Sequence, residues 1–184
     1  MYGMVNKAIE DLVCRNYGAP TWKLIREQAG VEVEVFLSNE PYPDEVTYRL
    51  MAAASEILRL PASDILEVLG EHWILYTAQQ GYGPLLRATG GSLPEFLLGL
   101  PNFHSRVAMI FPQLRPPRFE CTDITACSLK LHYFTHRRGL ESFVVGLVRG
   151  LGKMFGTPVT VDLAAARSRG ADHDVFAVAW EQPT

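Results

Sequence analysis

Tyr133-Phe134-Thr135-His136-Arg137 closes an apolar run that begins at Leu129, and the reading of this stretch decides the rest of the chain. In an extended strand, alternate side chains share a face. Leu129, Leu131, Tyr133, Thr135 and Arg137 therefore point one way, and Lys130, His132, Phe134, His136 and Arg138 point the other. The first face runs from aliphatic to polar and ends in two hydroxyls and a guanidinium. Such a row suits an anionic group carried by an otherwise apolar ligand. Arginine offers a planar fork to a carboxylate, and Tyr and Thr add short donors. The plainer alternative is a polar cap on a sheet end.

Upstream, His104 stands on a segment with helical spacing, and Val107, Ala108 and Phe111 are its i+3, i+4 and i+7 neighbours. Its stripe is apolar. By itself, a histidine in that setting is more often a satisfied core residue than a ligand. Together with the strand face it suggests more. Haem is flat and apolar, carries two carboxylates, and needs an axial ligand such as an unprotonated imidazole. The chain offers both parts of that recognition.

Other motifs are weaker. Gly81-Tyr82-Gly83 is a fragment of a dinucleotide loop, but Leu86 stands at the last glycine position and the segment reads as a helix start. His132 and His136 share a strand face but lie about 13 Å apart at strand rise, too far for one metal. Asp172-His173-Asp174 reads as a solvated turn rather than a cation site. No paired carboxylates stand out for acid–base chemistry.

Composition narrows the classes. The 184 residues suffice for one domain or two packed lobes. Apolar residues make up 48% and charged residues 20%, the balance of a soluble globular protein. A net charge of −3 without a basic block argues against nucleic acid as a partner. No apolar run is long enough for a membrane span, and the acids Glu10 and Asp11 do not suit a secretory leader. The expected location is the cytoplasm. The three cysteines do not make a disulfide framework; Cys121 and Cys127 could face each other across a hairpin as reduced packing residues.

Periodicity divides the chain. Helices are predicted near 4–13, 21–29, 45–58 and 63–79, with a short one after Gly81 and a longer one over 93–110, interrupted near Gly99–Pro101. Pro112, Pro116 and Pro117 end the helical part. Strands follow at 119–123 and 127–135 as a hairpin, then a glycine-containing helix over 139–155, then strands at 158–163 and 174–180. The predicted fold class is α+β. An N-terminal helical lobe (about 1–64) packs on a C-terminal lobe (about 65–184) with a four-stranded antiparallel sheet and a helix.

With these residues in view, the chain resembles the haem nitric oxide/oxygen binding (H-NOX) family, which includes the haem domain of soluble guanylate cyclase. The similarity runs from Met1-Tyr2-Gly3-Met4 through Leu93-Pro94-Glu95-Phe96, Phe103-His104-Ser105-Arg106-Val107, Phe111-Pro112 and Pro116-Pro117 to the region of Trp180. The family's Tyr-x-Ser-x-Arg triad stands here as Tyr133-x-Thr135-x-Arg137, a departure that keeps the hydroxyl. The resemblance implies a haem b between the lobes, with His104 on the iron and Tyr133, Thr135 and Arg137 on the propionates. It implies that Pro117 presses on the porphyrin, and that Val5, Trp73, Phe143 and Leu147, with Met1 and Met4, line the distal side.

The helix after the triad carries no tyrosine, the donor that O2-holding relatives use. NO and CO are therefore the expected ligands, with Ser142 and Trp73 as the remaining donor candidates. Release of His104 would then move the lobes and signal to a separate protein, such as a histidine kinase or a cyclic-dinucleotide enzyme. The chain is expected to be a sensor and not an enzyme. Two alternatives stay open: a haem-free module for a fatty acid or similar lipid, and a haem peroxidase using His72.

Overall fold

A computed structural model describes residues 1–110 and 113–181. Seven α-helices and four strands occur among them, in the order α1 (Gly3–Tyr17), α2 (Ala19–Gln28), α3 (Asp44–Leu58), α4 (Ala62–His72), α5 (Ala78–Thr89), α6 (Leu93–Ile110), β1 (Arg118–Thr122), β2 (Ser128–Phe134), α7 (Glu141–Phe155), β3 (Val159–Ala165) and β4 (Asp174–Trp180). The α+β reading holds. The sheet is antiparallel, in the order β1-β2-β4-β3. Phe111 and Pro112, read as the end of the His104 stripe and a helix stop, lie outside the described residues.

Two apolar cores form. One gathers the buried faces of α1 to α4 around Ile9, Ile25, Phe36 and Leu50. The other joins α5, α6 and α7 to one face of the sheet through Phe96, Leu97, Leu131, Val144 and Phe176. Trp73 packs against both and Phe143 against the first, and their rings meet edge to face at 6.4 Å. The alternation of β2 buries Leu129, Leu131 and Tyr133 on the core face.

The two cores are joined by α4 and α7, which cross with almost no side chain between them. A Cβ on Gly146 would run into the Glu67 carbonyl, and one on Gly70 into the Phe143 carbonyl. Only glycine lets the backbones approach this closely. Arg149 and Lys153 of α7 pair with Glu67 and Glu71 of α4 at the rim.

Three expectations need correction. The helix predicted over 63–79 is not uniform: a π-helical turn over Trp73–Thr77 separates α4 from α5, and α5 is bent at Tyr82 (φ −134°, ψ 15°). Helix α6 is not interrupted at Pro101. Proline lacks the N–H that would bond the Leu97 carbonyl, and the Cys121 thiol donates to that carbonyl at 3.6 Å instead. Cys121 and Cys127 do not face each other, because Cys121 stands opposite Leu131 in the β1–β2 register and Cys127 is exposed beyond the strand.

Candidate functional site

A cavity of about 460 Å³ opens at the junction of the two cores, within the size range of small-molecule pockets. Its wall is overwhelmingly apolar. Helix α1 contributes Met4 and Val5, α4 and the π turn contribute Leu69 and Trp73, and α7 contributes Phe143, Val144, Leu147 and Val148. On another side lie Phe96, Leu100 and Phe103 of α6, Phe119 of β1, and Pro116 and Pro117 from the connection between them.

His104 lines this cavity. Its Nδ1 lies 3.1 Å from the Leu100 carbonyl oxygen, one helical turn back. A carbonyl can only accept, so Nδ1 carries the proton and Nε2 keeps the lone pair. Burial pushes the imidazole pKa down, against the weaker opposite pull of that hydrogen bond. The ring stacks on Phe119 at 5.3 Å and meets Phe103 edge-on at 5.4 Å. The result is a neutral imidazole with a fixed tautomer and a fixed plane.

The polar end of the β2 face lies at the cavity's margin. Tyr133 and Arg137 line it; Thr135 does not. The ladder of β2 stops at Phe134, three residues before the predicted alternation runs out at Arg137. Thr135 instead braces the segment: its Oγ1 accepts the Arg137 N–H at 3.1 Å, and it hydrogen-bonds the Tyr133 side chain. Burial raises the Tyr133 pKa, while Thr135 and Arg137 pull it down.

Sequence reasoning missed two partners here. Arg137 donates to Asp44 of α3, Nε to Oδ2 at 2.8 Å and Nη2 to Oδ1 at 3.4 Å. The Met1 ammonium contacts the same carboxylate. Burial raises the Asp44 pKa, but the hydrogen bonds from Met1 and Arg137 more than offset it and hold the carboxyl below its usual range. Arg167 grips the carbonyls of Thr135 and Arg137 at 2.5 and 3.2 Å, and its own N–H is held by buried Asp174 at 2.7 Å. No local pattern announces contacts between residues so far apart.

Of the other residues singled out, Pro117, Val5, Trp73, Phe143 and Leu147 all line the cavity, as do Met1 and Met4. Ser142 and His72 do not. His72 turns to α1, its Nε2 2.9 Å from Asp11 Oδ2. Tyr82, at the bend of α5, was overlooked and is a lining residue. Asp172-His173-Asp174 is not a simple solvated turn, because Asp174 is buried and His173 meets His132.

The donor set fits a flat apolar group with acidic tails: one lone-pair nitrogen in an apolar wall, and a phenol and a guanidinium at the margin.

The family model described as "Haem-NO-binding" matches residues 2–163. Among curated relatives, soluble guanylate cyclase gcy-32 of Caenorhabditis elegans is 33% identical over 88% of this chain and 24% of its own length. Soluble guanylate cyclase 89Db of Drosophila melanogaster is 22% identical over 84% and 23%. The chain thus spans about a quarter of the length of these relatives. Among solved structures, the H-NOX protein of S. oneidensis in the Fe(II)NO ligation state superposes with a TM-score of 0.89 at 18% identity, covering 99% of this chain and 100% of that one. The Fe(II) unliganded H-NOX protein of K. algicida gives 0.87 at 24% identity, covering 100% and 98%. Cavity, fold and sequence agree: the chain belongs to the haem-NO-binding (H-NOX) family.

Proposed function

We propose that the cavity holds haem b and that the chain acts in the cytoplasm as a sensor of NO and CO, regulating a separate enzyme and catalysing nothing itself. The observation that carries this reading is the His104 imidazole, whose Nδ1–H is committed to the Leu100 carbonyl and whose ring lines an apolar cavity. Haem, when bound, supplies an iron centre able to take up a diatomic gas. His104 is the residue to ligate it. Tyr133 and Arg137, braced by Thr135, are the residues to hold its carboxylates. Pro117 bounds the same cavity beside them, and Val5, Trp73, Phe143 and Leu147 form apolar wall that excludes water.

Gas selectivity comes from the wall that α7 contributes. Its lining residues are Phe143, Val144, Leu147, Val148 and Leu151, none with a hydrogen-bond donor on its side chain. A polarised O2 complex needs such a donor, whereas NO and CO need it far less. Transmission runs through His104. It is fixed in α6 between the buried Leu100 turn and Phe119 of β1, so a change in the load on its imidazole reaches both core and sheet. The receiving protein is a histidine kinase or a cyclic-dinucleotide enzyme.

Absorption spectra of the ferrous protein under argon, air, CO and NO test the proposal. CO and NO each shift the Soret band, and air leaves the argon spectrum in place until slow oxidation. Colourless iron-loaded protein overturns the haem assignment, and a stable oxygenated spectrum overturns the selectivity.

A further inference from the structure

The opposite face of the sheet, turned away from the cavity, carries two imidazoles aimed at each other. His132 of β2 and His173, just before β4, approach with Nδ1 of the first 2.7 Å from Nε2 of the second, and their ring centroids are 5.0 Å apart. Each ring has a partner on its far nitrogen. His173 Nδ1 is 3.2 Å from Asp172 Oδ2, and His132 Nε2 is 2.8 Å from Thr122 Oγ1. Phe134 stacks on His173 at 4.1 Å and fixes its plane. We propose that His132 and His173 form a two-imidazole site for a borderline divalent cation such as Zn2+ or Cu2+, separate from the cavity, with solvent completing the coordination.

The proton inventory shows how a cation enters. A carboxylate only accepts, so His173 carries its proton on Nδ1 and keeps a lone pair on Nε2. His132 must then donate from Nδ1 to that lone pair, while its own Nε2 accepts the Thr122 O–H. For both facing nitrogens to ligate, the His132 proton moves from Nδ1 to Nε2. The Thr122 hydroxyl then turns from donor to acceptor, which a hydroxyl can do and a carboxylate or an ammonium cannot. No proton is lost from the pair, and both ligands stay neutral. Nitrogens bound at about 2.0–2.1 Å in a tetrahedral site stand roughly 3.3 Å apart, so the rings open by only about 0.6 Å.

Asp172 and Thr122 would then serve as the outer partners that orient metal-bound histidines. The surrounding charges are Asp123 paired with Lys130, and Glu120 paired with Arg118, which lies over the Phe134 ring at 3.8 Å. Among the described residues no three side chains of ligating type converge, which is why two imidazoles and solvent are proposed and not a closed structural site.

The purified whole chain, as isolated, is titrated with Zn2+ by calorimetry and with Cu2+ by electron paramagnetic resonance. One ion binds per chain, and the Cu2+ spectrum carries nitrogen hyperfine structure. His132→Asn and His173→Asn each weaken binding at least tenfold, Asp172→Asn weakens it roughly tenfold, and His136→Asn leaves it unchanged. The two histidine variants come from a strand and a turn, so one remains informative if the other misfolds. Wild-type protein that takes up neither ion, or binding that survives both histidine variants, overturns the site.

Discussion

Arg137 and Asp44 are joined through two hydrogen bonds, 2.8 and 3.4 Å, although 93 residues separate them in the chain. The pair ties the segment after β2 to the start of α3, and so links the two cores beside the cavity that Arg137 lines. Arg137→Ala removes a half-buried, charge-assisted contact and should cost about 1–2 kcal/mol. At this chain length that lowers Tm by roughly 2–8 °C. Asp44→Asn should lower it less, and a double-mutant cycle by calorimetry should give a positive coupling. Because the Asp44 carboxyl titrates below its usual value of 3.8, its contribution is full above that pH and fades as the pH falls through the lowered value.

His104→Gly should yield folded protein without a Soret band, since the cavity wall stays intact while the ligating nitrogen is gone. Added imidazole should restore the band by entering the vacated space. Retention of full haem absorbance without imidazole would count against His104 as the iron ligand.

Gly146→Ala tests the helix seam. The new Cβ would meet the Glu67 carbonyl, a backbone atom that cannot rotate away. Overpacking of this kind costs about 3 kcal/mol, the upper end of the usual range. Denaturant unfolding should show a lower midpoint with an unchanged slope. Gly139→Ala offers a contrast. Among the described residues no atom crowds that position, and its penalty is confined to a backbone φ of +71°.

His72 sets a pH window. Burial lowers its pKa, and the Asp11 carboxylate opposes that, with Arg15 and Tyr76 as the other groups around it. The folded state therefore holds the imidazole neutral more firmly than the unfolded chain, whose histidine titrates near 6.5. Stability from this source is present above that pH and is lost as the pH falls below it. Melting curves at about pH 7.5 and about pH 5.5 should show the wild type losing more than His72→Gln, which keeps a hydrogen-bonding group but does not titrate in that range.

Much of the architecture was legible from local pattern. Local pattern found the seven α-helices and four strands to within a few residues, though not the π turn or the 3-10 turn at Arg167–Arg169, and β4 emerged with its observed ends, Asp174 and Trp180. The alternation through Tyr133 correctly set which side of β2 is buried. What escaped depends on tertiary partners. Pro101 read as a break because the sequence does not show that the Cys121 thiol takes up the spare Leu97 carbonyl. Asp44 and Arg167 were invisible as neighbours of the Arg137 segment because no periodicity encodes a contact between distant elements. The hairpin cysteines were misjudged because register depends on the turn between Thr122 and Ser128.

Where α4 crosses α7, backbone rests on backbone, and nothing compressible lies between the two helices. Such a joint has no padding to absorb a push. The pair must travel as a single strut, and any relative shift of the two cores is displaced to its ends, at the π-helical turn of Trp73–Thr77 and at Gly139 ahead of α7. Trp73 and Ile74 of that turn and Gly139 all line the cavity, so both ends of the strut stand where a molecule in the cavity would press.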